Sequence, residues 1–108
     1  MSRVVKNNRG FLQLLAHGPT HQCEFLLRTA TPQQVHALVQ VLHNVVKGYI
    51  PFPEENRQKL LPYKDVLISL AEPNVPYEKK KQILVQEGDG FIQDLLPPVI
   101  SSLGFLLL

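Results

Sequence analysis

Apolar residues along this chain recur at steps of three, four and seven, and no alternating apolar-polar run of strand length competes with them. That spacing predicts helices from end to end. The clearest case is Thr31–Gly48. Val35, Leu38, Val39, Leu42, Val45 and Val46 form one continuous stripe at a period of 3.6. Thr31 suits the N-cap, Pro32 the first helical position and Gly48 a left-handed stop. So wide a stripe needs partners on this chain or another.

Prolines divide the rest into short helical pieces. Phe11, Leu12, Leu14 and Leu15 predict a first helix over Lys6–His17, stopped by Gly18-Pro19. Thr20 is the expected cap of a second, with Cys23, Leu26 and Leu27 inward. After the central helix, Tyr49-Ile50-Pro51-Phe52-Pro53 is a stiff, extended apolar link. Pro53–Leu61 carries acids first and bases later, the order the helix dipole favours. Pro62 restarts the chain, and Tyr63, Val66, Leu67 and Leu70 give a fifth helix ending near Pro73. Pro76 opens a sixth through Val85, which Gly88-Asp89-Gly90 ends. The expected fold is all-α: a compact bundle of about six short proline-punctuated helices in residues 1–88, with an apolar C-terminal helical tail in residues 89–108.

Composition narrows the function. The 108 residues suffice for one domain, and an apolar fraction of 44% is too high for a disordered chain. A net charge of +2 does not make the molecule a polycation, but the charge is uneven. Arg3, Lys6 and Arg9 gather at the start and Lys79, Lys80 and Lys81 form a second cluster. These six are the candidate phosphate contacts, without sequence specificity. The single Cys23 excludes an intramolecular disulfide framework and fits a reducing compartment. No secretory signal is legible in the polar, basic Met1–Arg9, so an intracellular location, host nucleus or virion, is expected.

Candidate chemistry is sparse. His17, His21, His36, His43 and Cys23 invite a metal reading, but His36 and His43 lie two turns apart on one helix face, about 10 Å, too far for one ion without other ligands. No paired-carboxylate pattern, glycine-rich phosphate loop or nucleophile motif occurs. The expectation is a protein without catalytic residues, cofactor or metal. The tail offers more. Phe91, Ile92, Leu95, Leu96, Val99, Ile100, Leu103 and Phe105 are too apolar to stay free in water, and Pro97-Pro98 breaks the run. Folding back over the bundle, lying in a membrane interface and docking on a partner protein all remain open for it.

Several pieces of the chain, in order, resemble a family of small proteins encoded by Polinton/Maverick elements and the related adintoviruses. They are Leu26-Leu27-Arg28-Thr29-Ala30, Asn44-Val45-Val46-Lys47-Gly48 with Ile50-Pro51, Lys59-Leu60-Leu61-Pro62-Tyr63-Lys64 with Leu70-Ala71, and Lys79–Gln86. Gly88-Asp89-Gly90-Phe91-Ile92 and Leu95-Leu96-Pro97-Pro98 complete the set. Proteins of that family have been likened to the small basic core proteins of adenoviruses. The resemblance implies a non-enzymatic minor virion component whose tail meets a capsid partner, another copy or a membrane. It also implies a processing hinge at Gly88, Asp89 and Gly90, cut by a viral cysteine protease. Asp89 departs from the second glycine usual there, and the chain is less basic than a core protein. A nucleic-acid-binding core protein and a membrane-active module are the alternative expectations.

Overall fold

The computed structural model describes residues 3–47, 54–86 and 99–100, and among them every regular element is a helix. In chain order these are α1 (Arg3–Asn7), α2 (Arg9–His17), α3 (Thr20–Arg28), α4 (Pro32–Val46), α5 (Glu54–Leu60), a 3-10 turn (Leu61–Tyr63), α6 (Lys64–Ala71) and α7 (Tyr77–Gln86). The protein is all-α, and the proline-punctuated bundle is the architecture observed.

Helix α4 forms as its sequence requires. The Thr31 hydroxyl accepts from the Gln34 N–H at 3.2 Å, and the Gln34 side chain accepts from the Thr31 N–H at 2.9 Å. This reciprocal capping box satisfies two donors that a helix start otherwise leaves open. Pro32 stands in the first turn, where no backbone bond is lost. Thr31→Ala should therefore cost about 1 kcal/mol. In a domain of this size the melting temperature should fall by about 4–8 °C, readable by circular dichroism. The helix runs to Val46 with Lys47 at its C-cap, and the expected stop at Gly48 lies outside the described residues.

At 15 residues α4 is about 22 Å long and crosses the middle of the bundle. It packs against α1, α6 and α7. That surround explains why burial exceeds the predicted stripe. Ala37 and Val41 are as buried as Leu38 and Val45, while Val46 is only half-buried. The wet edge that remains carries Gln33, His36, Gln40, His43 and Lys47.

The first predicted helix is two. Asn8 ends α1 by donating its side-chain amide to the Val4 carbonyl at 2.8 Å, while its own carbonyl starts α2 by accepting from Leu12. An asparagine amide competes with the backbone in this way wherever it can reach a carbonyl one turn back. Gly18 closes α2 with its N–H on the Leu14 carbonyl at 2.8 Å, and a Cβ there would sit 2.7 Å from that same oxygen. Glycine is required by that close approach. The N-cap of α3 is Pro19 rather than Thr20, which is the first helical residue. Farther on, the 3-10 turn links α5 to α6 at Pro62, burying Leu60 and leaving Leu61 in water.

The core is aliphatic, with Phe11 its one aromatic side chain and no polar or charged side chain among the buried described residues. Leu12, Leu15, Leu27, Leu38, Leu42, Leu70 and Leu84 are its largest wholly buried members. Val99 and Ile100, at 0% and 3% exposure, belong to the same cluster and are helical. Two of the eight expected tail contacts are thus spent inside the bundle. Phe91, Ile92, Leu95, Leu96, Leu103 and Phe105 lie outside the described residues, as do the proposed hinge residues Gly88, Asp89 and Gly90 and the link over 49–53.

Candidate functional site

Helix α7 places its three consecutive lysines in three directions, because each residue turns about 100° around a helix. Lys79 points to water. Lys81 turns toward α3: its Nζ lies 5.7 Å from the centroid of the Tyr77 ring, and it shares a cavity of about 390 Å³ with Arg28, Glu78 and Gln82. A cation over an aromatic face is held by the ring's quadrupole. The Glu78 carboxylate, hydrogen-bonded with the Tyr77 hydroxyl, raises that phenol above its ordinary value, with desolvation adding to it. Arg28 is engaged on its own helix, donating to Glu24 at 2.7 Å one turn back. That exposed i,i+4 pair contributes little to stability.

Lys80 turns the other way, toward the wet edge of α4. There it lines a groove of about 460 Å³ with His36, His43, Gln40 and Val39, closed at one side by Ala71 and Pro73 from the end of α6. A neighbouring hollow of about 240 Å³ again contains His36 and Lys80, now beside Pro32, Val75 and Tyr77. The cluster expected at Lys79–Lys81 is therefore split, and one of its members joins two histidines from another helix. Arg3, Lys6 and Arg9 are exposed on α1 and α2 and line neither cavity. The seven-residue spacing of His36 and His43 already placed both on one face. What sequence spacing had no means to supply was Lys80, brought across by the packing of α7 on α4.

His17 and His21 are exposed, and Cys23 is buried. Among the described residues no three His, Cys, Asp or Glu side chains group as they would around a metal ion. The Cys23 thiol donates to the Leu15 carbonyl at 3.4 Å, and burial pushes it above the ordinary thiol range. A thiol raised in the folded state contributes stability that is complete below its unfolded value and is lost as pH rises through the folded one. The wild-type urea midpoint should accordingly fall more steeply above about pH 8.5 than that of Cys23→Ala. Thiol labelling with a disulfide reagent should be slow in the native protein and fast in urea.

A second feature is apolar. Leu61 and Ile68, seven residues apart along the 3-10 turn and α6, are 67% and 47% exposed. Beside Leu61 opens a cavity of about 300 Å³ with Val46, Leu60 and Leu67 in its wall and Glu54, Arg57 and Lys64 also lining it. Among the described residues the other large apolar side chains that are exposed are Phe25 on α3, at 63%, and Leu14 on α2, at 47%. No helix among the described residues is long and apolar enough to cross a membrane.

The fold thus defines a small all-α bundle with a cationic groove and an apolar edge. Comparison with protein-family models, with characterised proteins and with solved structures finds no match.

Proposed function

We propose that this chain is a non-enzymatic interaction protein of a virus-like mobile element, a minor virion component that docks on a capsid protein. The observation that carries the reading is exposed Leu61 at an apolar-walled cavity with a charged rim, with exposed Ile68 seven residues farther along. Large aliphatic side chains held in water next to a recess are the usual form of a protein-binding patch. The resemblance to Polinton and adintovirus proteins supplies the class of partner.

The test is co-purification with the major capsid protein encoded by the same element. The wild type should be retained. The double variant Leu61→Asp/Ile68→Asp should lose at least about tenfold in affinity while its helical circular dichroism stays unchanged. Retention indifferent to both substitutions sinks the reading, as does a genomic setting of host housekeeping genes instead of capsid, packaging ATPase and protease genes.

A second reading, contact with nucleic-acid phosphates, is favoured by the exposure of Arg3, Lys6, Arg9 and Lys79. It requires duplex binding that is strongest at low salt.

A further inference from the structure

The groove between α4 and α7 sets two histidines beside Lys80, one of the six candidate phosphate contacts. His36 and His43 stand on one face of α4, about 10 Å apart by helical rise, with Val39 between them at the base. Lys80 reaches the same groove from α7, and it shares the adjoining hollow with His36. Among the described residues no carboxylate lines either cavity. Glu78 lines the cavity shared by Arg28 and Lys81, and its carboxylate hydrogen-bonds the hydroxyl of Tyr77, which borders the adjoining hollow. Lys80 offers three protons and each imidazole at least one, while the Gln40 amide both donates and accepts. Val39, Ala71 and Pro73 supply the apolar part of the wall beside Lys80.

We propose that this groove is a binding site for an oligophosphate, a ligand of linked phosphate groups. One phosphate sits between Lys80 and His36, and a later one in the chain meets His43. The two histidines are anchored two turns apart on α4, a span that suits linked phosphate groups better than a single one. The site is independent of the apolar edge, and its failure leaves the capsid-docking reading intact. It is also distinct from diffuse contact with nucleic acid through exposed basic residues.

The experiment titrates inorganic tripolyphosphate into the full chain at low ionic strength. Binding is measured by calorimetry, and the imidazole and lysine resonances are followed by NMR. His36, His43 and Lys80 should shift together at one stoichiometric site. Lys80→Gln, His36→Gln and His43→Gln should each weaken binding by about tenfold, the scale of a lost hydrogen bond to a charged group. Lys59→Gln, which removes an equal charge from exposed α5, should change it by less than about twofold. Parallel titrations with a nucleoside triphosphate and an oligothymidylate identify the source of the phosphates. Equal competition by both places recognition in the phosphate chain alone, and preference for one adds base or sugar contacts to the same site. No stoichiometric binding, or a loss in Lys59→Gln equal to that in Lys80→Gln, overturns the proposal. So does oligothymidylate binding that leaves the three groove residues unshifted, which would instead support the diffuse-contact reading.

Discussion

Leu38→Ala is expected to lower the stability of the protein by about 3–5 kcal/mol. Leu38 is wholly buried at the middle of α4, the helix that touches α1, α6 and α7. Removing its isopropyl group leaves a hollow within the core cluster, and neighbours cannot fill it without giving up contacts of their own. Cavities that cannot collapse carry the larger costs in such substitutions. Domains of this size have only about 5–15 kcal/mol in total, so the loss is a large share. With a urea slope of about 1–3 kcal/mol per molar, the unfolding midpoint should drop by about 2 M. Gln33→Ala, on the wet edge of the same helix, should stay within about 0.5 kcal/mol. A Leu38→Ala loss no greater than the Gln33→Ala change would mean that α4 is not the centre of the core.

How much of this was readable in advance depends on how local the signal is. The N-terminus of α4 was legible because threonine, proline and glutamine act through bonds within three residues. The stop at Gly18 was legible for the same reason. The split at Asn8 was carried by one side-chain amide inside an otherwise helical stretch, and apolar spacing does not register it. Burial of Ala37 and Val41 follows from helices closing on α4 from more than one side. No periodicity within α4 contains that information.

The groove shows the same division. His36 and His43 share a face by spacing alone. Lys80 joins them because α7 packs on α4 from more than thirty positions downstream. Read as a run, Lys79–Lys81 looks like one basic patch. Wound into a helix it serves water, the α4 groove and the Tyr77 ring separately. The three lysines therefore do not point from one face, which is why the groove and the exposed basic residues call for separate measurements.

The C-terminal residues give the second large effect. Val99→Asp is expected to lower the stability by more than about 4 kcal/mol at neutral pH. Val99 has no exposure and Ile100 almost none, and both lie in the cluster that includes Leu38 and Leu84. An ionised carboxylate in that setting has no cationic partner among the buried described residues, whose side chains include none that are polar or charged. Burying it costs more than about 4 kcal/mol, unless it takes up a proton. The introduced carboxyl would be raised above about 3.9 in the folded state. Its contribution is therefore least harmful below that value and worsens as pH rises. The stability gap between Val99→Asp and wild type should thus narrow from pH 7 to pH 4. Val99→Ala, which only leaves space, should cost about 2 kcal/mol and show no such pH dependence. Circular dichroism against urea at the two pH values separates these outcomes. If Val99→Asp were no worse than an exposed substitution at pH 7, the C-terminal residues would be a covering and not part of the core. A bundle that instead loses that much stability on this one change has Val99 and Ile100 as structural members. The partner surface must then be sought in side chains the core leaves exposed, Leu61 and Ile68 first among them.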